Sequence, residues 1–431
     1  VSFKTSSPQL RRELGVVGAT VMGLGSIIGT GVFVSIGIAA GIAGNAVILA
    51  VMIGAIVAIC NGLNSAQLAA NHPVSGGSYE YGYKYLNSWL GFTAGWMFLL
   101  AKSASAATAA LGFAGYFLNA TGLGGSGLLV PLALAAVITI AIVVLNGIRR
   151  SNRVNIIIVS VSVFSLIFFI LGGIPTAIAT GRENFTPFNG SVATVLHASA
   201  LMFVAYTGYG RIATLGEEAK NPRKTIPKAI VVTMIMTMLI YVGVATIAVA
   251  TVGAEKLGQV ALTAQAAPLE VAVRSFGIPG GAQILAIGAI FAMLGVLLNL
   301  ILGLSRVLLA MGRRRDMPRI FARLNQSGTT PTPAVIAVST IIAILVLIGN
   351  VKTTWSFSAF TVLIYYSITN LAAFAIPSND RLYPKWLSIL GLLACLFLAF
   401  WVEPFVWQVG LALIVAGLIW HTVAQKLGVR S

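Results

Sequence analysis

The chain reads as an all-α polytopic membrane protein of twelve transmembrane helices, and three observations predict it. Of its 431 residues 58% are hydrophobic and only 9% charged, with a mean hydropathy of +0.95; soluble domains carry about 25% charged residues. Apolar runs of the length needed to cross about 30 Å of hydrocarbon recur along the whole chain. The basic residues are distributed unevenly between alternate loops.

The runs fall at 13–41, 45–70, 88–118, 128–147, 154–174, 193–216, 226–252, 280–309, 333–349, 353–376, 386–402 and 404–424. Only Glu403 and Pro404 separate the last two. Residues 1–12 are a polar tail, and with no cleavable leader visible the first span is expected to insert the chain. Of the 27 Lys and Arg, only Arg182, Lys256, Arg274 and Lys352 fall on one side, while Lys102 and Arg211 fall within spans. Basic loops stay in the cytoplasm, so both termini are predicted there. The net charge of +17 then reflects topology and anionic lipid, not nucleic acid.

Cys60 and Cys395 both lie within spans, so neither a disulfide framework nor a disulfide-linked subunit is expected. His72, His197 and His421 lack metal-ligand spacing, and no metal or other cofactor is expected. Acidic residues are absent from the span centres, which argues against an intramembrane enzyme built on paired carboxylates or an activated nucleophile. A channel would need rings of pore-lining groups or a filter, which the pattern does not supply.

The first span contains "GLGSIIGTGVF", Gly23 to Phe33. Each glycine inside a helix costs about 1 kcal/mol relative to alanine. The spacing fits neither a dinucleotide fingerprint nor a phosphate loop. Two readings stand: small residues that let helices approach closely, as in Gly25-x-x-x-Gly29, or an unwound segment lining a cavity. The sixth span repeats the feature in "FVAYTGYGRIATLGEE", Phe203 to Glu218, with Gly208 and Gly210 at its middle. Paired interruptions five spans apart point to inverted repeats, 13–174 and 193–376, followed by two additional helices at 385–425. Half-helix ends offer amides to a carboxylate and carbonyls to an ammonium. An α-amino acid carries both.

Several stretches resemble the amino acid-polyamine-organocation (APC) superfamily: "SIIGTGVF" its first helix, "FVAYTGYG" with "GEEAKNPRKTIPKAI" its sixth helix and following loop, "VSGGSYEYGYKYLNSWLGFTAGW" its second-to-third helix connection, and "LGLSRVLLAMGRRRDMP" the end of its eighth helix. The resemblance implies a five-plus-five inverted-repeat fold with broken helices 1 and 6, and a secondary active transporter. It implies that the amides of Gly29, Thr30 and Gly31 hold the substrate carboxylate near the Ser26 hydroxyl. The carbonyls of Ile27, Phe203, Val204 and Tyr206 would receive the amino group beside Gly208, with Phe203 and Tyr206 as candidate aromatic gates. Core packing is the competing reading for each aromatic.

The chain departs from the family where many members carry a coupling lysine in the fifth helix: "RVNIIIVSVSVF" places Ser162 there. Sodium coupling, no coupling, or a cation from elsewhere remain open, with H+ or Na+ the candidate ions. Lys102 lies near the midpoint of the third span, too deep to reach an interface easily, and is the candidate for that cation or for a transported proton. Arg211 would pair with Glu217 or Glu218 in an inner gate, or line the cytoplasmic vestibule. A neutral or small α-amino acid is the preferred substrate, moved with a proton or by exchange; a polyamine or cationic amino acid exchanger is the alternative, set second because multivalent cations call for carboxylates along the path, and an anionic substrate stays open through Lys102 and Arg211. A non-transporting sensor on the same scaffold is the remaining alternative. The expected setting is a bilayer, a bacterial inner membrane by its short loops, with no nucleic-acid partner.

Overall fold

The computed structural model describes residues 14–73, 76–124, 127–147, 152–188, 190–213, 219–262, 267–326 and 328–426. Glu217, Glu218 and the tail 1–12 lie outside them. Backbone polar groups in lipid must be satisfied within the chain, so an apolar sequence of this length folds as helices; among the described residues the sole β-type pairing is the isolated Leu14–Ala219 bridge. The helices are α1 (Val16–Ile27), α2 (Ile36–Ala43), α3 (Val47–Asn71), α4 (Ser78–Tyr85), α5 (Ser88–Ala120) and α6 (Leu129–Leu145). Then come α7 (Asn152–Phe185), α8 (Val192–Tyr206), α9 (Gly210–Ala213), α10 (Pro222–Val252), α11 (Ala254–Leu262) and α12 (Pro268–Arg274). The series ends with α13 (Gly281–Arg313), α14 (Thr332–Leu347), α15 (Val351–Phe374), α16 (Lys385–Ala399) and α17 (Pro404–Lys426).

Among the described residues, 8 helical stretches are long and apolar enough to cross a membrane. Four further apolar helices, α1, α6, α14 and α16, are shorter than 18 residues. The first expected span is divided because its helix stops at Ile27 and resumes at Gly31. The fifth outruns its expected end at 174, since α7 continues through Pro175 to Phe185. A membrane helix tolerates an internal proline when its surroundings re-satisfy the freed backbone groups.

The helix α5 runs through the middle of the bundle, packed on α13 and α15. Its run from Ala101 to Ala110 is composed of small residues and Lys102, and small side chains let neighbouring backbones approach closely. The hydroxyl pairs Ser105–Ser358 (2.7 Å) and Thr108–Thr354 (2.8 Å) join α5 to α15. A buried amide network attaches α16: Asn64 donates to Asn370 (2.7 Å), Asn370 to Asn61 (2.7 Å), and Ser388 to Asn64 (2.8 Å). With its members mutually satisfied, the network avoids the penalty of orphaned polar groups in an apolar interior.

We call the side where α1 begins and α17 ends the basic face. On the opposite face α2 packs against α11 and α12. A Cβ on Gly41 would lie 2.8 Å from the Gly258 Cα, and one on Gly37 would meet Pro268 at 2.6 Å, so α2 sits directly beneath α11 and α12. The Tyr116 hydroxyl donates to the Phe33 carbonyl at 2.7 Å. The same face carries an ion cluster: Lys352 Nζ lies 3.0 Å from Glu403 Oε1, and His197 Nε2 lies 3.5 Å from Glu403 Oε2. Burial alone would raise the Glu403 pKa, but bonding from His197, its own backbone amide and Lys352 outweighs that and holds the carboxyl well below the usual range. The depressed folded-state pKa means the cluster stabilises the fold fully above about pH 5 and loses that contribution as pH falls toward the folded value. Glu403→Gln is therefore expected to lower Tm by a few degrees at neutral pH and to narrow the gap to wild type in acid, as read by thermal unfolding across pH.

Candidate functional site

The helix α1 ends because Ile28 leaves helical geometry, with φ −72° and ψ 112°. The resumed ladder begins with Val32 and Phe33, whose amides bond to the Gly29 carbonyl at 3.1 and 3.2 Å. A π-helical turn, Gly31–Ser35, then leads into α2. The second interruption is milder. After Tyr206 the chain tightens into a 3-10 turn, Thr207–Tyr209, before α9, and the Thr207 hydroxyl donates 2.8 Å to the Val204 carbonyl.

The two interruptions lie against each other. A Cβ on Gly208 would lie 2.3 Å from the Ser26 carbonyl oxygen, and one on Gly31 would lie 2.5 Å from the Ala205 Cβ. Both readings of the glycines thus apply. The backbone opens at Ile28 and Gly29, and the glycines permit contacts that no side chain would fit. The pair Gly25 and Gly29 does not face a common neighbour: the first meets Asn155 and Val159 of α7, the second Val296 of α13.

Around the crossing lies a narrow cavity of about 40 Å³, lined by Ser26, Ile27, Thr30, Gly31, Lys102, Val204 and Gly208 among others. It shares Ser26, Lys102, Thr207 and Gly208 with a wider cavity of about 230 Å³ that reaches Gly76, Gly77, Arg211 and Arg306 toward the basic face. Among the described residues, no Asp or Glu lines either cavity.

The Lys102 side chain, 9% exposed, donates 2.9 Å to the Thr207 hydroxyl and so reaches the second interruption from α5. The Thr30 hydroxyl oxygen is buried without a hydrogen-bond partner beside the first, and buried polar atoms in native structures are seldom left so. The Ser26 hydroxyl donates 3.1 Å back to the Met22 carbonyl.

Other predicted residues are placed elsewhere. The Tyr206 ring packs on Tyr241 and its hydroxyl bonds the Val51 carbonyl at 3.3 Å; Phe203 packs on Tyr366. Neither lines the two cavities, whose aromatic walls are Trp355, Phe98, Tyr365 and Tyr366. A helix rotation is set by its neighbours, which a sequence pattern does not give. Ser162 bonds Ile158 at 2.8 Å and the Gly288 carbonyl of α13 at 3.3 Å, apart from the cavities. Arg211 lines the wider cavity; its expected partners Glu217 and Glu218 lie outside the described residues.

Sequence reasoning missed Tyr241. Its hydroxyl stands 2.9 Å from the Ile27 carbonyl and 3.3 Å from that of Ala205, joining both broken helices from α10. The Tyr366 hydroxyl donates to the Thr207 carbonyl at 3.1 Å. Nothing in a lone tyrosine within an apolar run announces such a contact. Leaving a buried carbonyl unsatisfied costs about 1–3 kcal/mol, so Tyr241→Phe is expected to raise half-saturation for substrate about tenfold while the protein still inserts, as measured by concentration-dependent uptake.

Comparison with known proteins places this geometry. The chain is 36% identical over 392 residues to an uncharacterized transporter of Mycobacterium tuberculosis, covering 91% of this chain and 86% of that one. A branched-chain amino acid permease of Bacillus subtilis is 30% identical over 365 residues, 80% of this chain and 76% of its own. A methylthioribose transporter of the same organism is 29% identical over 349 residues, 77% and 74% of the two chains. The family described as amino acid permease matches residues 18–428. The chain belongs to that family of the APC superfamily: it is an amino acid transporter of the membrane, not an enzyme.

Proposed function

We propose that the chain is a secondary carrier that moves a small α-amino acid across the membrane by alternating access. The observation that carries this reading is the crossing of two interrupted helices on a cavity bordered by Lys102. Backbone groups at such interruptions act as ligands without burying an ionised side chain for the purpose. In this reading the amides of Gly29, Thr30 and Gly31 take the substrate carboxylate, with the Thr30 hydroxyl beside them. The carbonyls of Ile27 and Val204 retain a second lone pair for an amino group, although each already accepts from Tyr241 or Thr207.

Twelve spans, arranged as five plus five in inverted repeat with two helices added, account for α1 to α17 when α1–α2 and α8–α9 each count as one span and α4, α11 and α12 as connections. With the basic face in the cytoplasm, as the positive-inside rule requires, both termini are cytoplasmic. The conformation is then open inward: the wider cavity leads to the cytoplasm and α11 and α12 close the outside. The branched-chain permease and the methylthioribose transporter among the relatives support a site whose cargo varies among small molecules of different polarity.

Coupling is tested by uptake of labelled amino acids into liposomes with sodium and proton gradients imposed separately. Saturable uptake driven by a proton gradient, and abolished in Lys102→Ala, supports Lys102 as the coupling group. Sodium-driven uptake transfers that role to Ser162 and the oxygens around it, and saturable binding without flux overturns the carrier reading in favour of a sensor.

A further inference from the structure

Four carbonyls at the two interruptions already accept from the protein's own donors. The Tyr241 hydroxyl serves Ile27 and Ala205, the Thr207 hydroxyl serves Val204, and the Tyr366 hydroxyl serves Thr207. A resident ammonium stands beside them, since Lys102 Nζ lies 2.9 Å from the Thr207 hydroxyl and lines both cavities. An ammonium has three donors, and Thr207 takes one.

The wider cavity adds Arg211 and Arg306, together with the neutral hydroxyls of Tyr365 and Tyr366, and no Asp or Glu among the described residues lines either space. A zwitterion would leave the site's charge as it was. A species with one more carboxylate than ammonium would neutralise Lys102 in a water-poor site, where opposite charges attract most strongly.

We infer that the preferred substrate is a net-anionic α-amino acid, one with a second carboxylate that pairs with Lys102 while the first sits on the amides of Gly29 to Gly31. The inference rests on the carrier reading and specifies the charge of its cargo. Arg306, which lines the wider cavity, then draws the anion along the path between the crossing and the basic face.

The test compares acids with their near-isosteric neutral amides, aspartate against asparagine and glutamate against glutamine, in liposomes holding the purified protein. The wild type is expected to carry each acid about tenfold faster than its amide at equal low concentration, the scale of one desolvated charge pair. Lys102→Gln is expected to erase the preference and Lys102→Arg to retain it. Amides carried as fast as acids, or a preference unchanged in Lys102→Gln, overturn the inference while leaving the carrier reading in place. If no amino acid is carried, the carrier reading falls, and the same pairs are compared by ligand-induced thermal stabilisation: stabilisation by the acids alone sustains the charge assignment, and equal stabilisation or none overturns it. The wild-type ratio needs no variant to fold.

Discussion

Gly208→Val is expected to abolish saturable amino acid flux, a loss of about 100-fold or more, while the protein still inserts and remains monodisperse in detergent. A Cβ at position 208 would lie 2.3 Å from the Ser26 oxygen, 2.4 Å from its carbonyl carbon and 2.6 Å from the Ile27 nitrogen. These are backbone atoms, so no rotamer change relieves the clash and one broken helix must move off the other. A displacement of about 1 Å in a positioned site is enough for a loss of that order. Gly31→Val meets Ala205 at 2.5 Å and Cα at 2.7 Å and is expected to behave alike. Gly181→Ala is the control, because its nearest neighbour is the Ala250 Cβ at an ordinary 3.5 Å. Initial rates of uptake by reconstituted variants decide the matter, and flux within threefold of wild type in Gly208→Val would remove the crossing from the mechanism.

Asp316→Ala is expected to cause the largest loss of stability, a fall in Tm of about 5 °C. Asp316 is 1% exposed just past the end of α13. Its Oδ2 accepts from the Tyr79 and Tyr83 hydroxyls, both at 2.6 Å, and its Oδ1 lies 3.6 Å from His421 Nδ1 of α17. Its backbone carbonyl accepts from the Trp420 indole at 2.9 Å. One carboxylate thereby joins α4, α13 and α17 at the basic face, and Arg314 bridges to Glu80 at 2.6 Å while covering the Tyr83 ring. Removing one member of a buried charged network costs about 3–5 kcal/mol, because the partners stay behind unpaired. Asp316→Asn keeps an acceptor for the tyrosines and is expected to lose less. Thermal unfolding of the purified variants in detergent reads both.

The hydropathy pattern made the helices legible because lipid admits few alternatives to a helix. The first interruption was legible through Gly29 and Gly31, whose cost inside a helix asks for a reason, and Lys102 through its depth in an apolar run. The two interruptions differ in form, extended at Ile28 but only a 3-10 turn at Thr207, and glycine content does not distinguish these. The pairing of Lys102 with Thr207, 105 positions away, depends on helix rotation and packing that no local pattern encodes. The same holds for Tyr241 on Ile27, for the Asn61–Asn64–Asn370 network and for Asp316 with His421. The aromatic rings illustrate the limit: Phe203 packs on Tyr366 and Tyr206 on Tyr241, while Trp355 and Tyr366 line the cavities.

The most direct test of the central claim, that an amino acid crosses the membrane through the joined interruptions of α1–α2 and α8–α9, is tracer counterflow in liposomes preloaded with unlabelled amino acid. No ion gradient is imposed, so the result depends on alternating access alone. The account predicts transient accumulation of label by the wild type and none by Gly208→Val. Label that binds the wild type saturably but never accumulates, or accumulation undiminished in Gly208→Val, would contradict it.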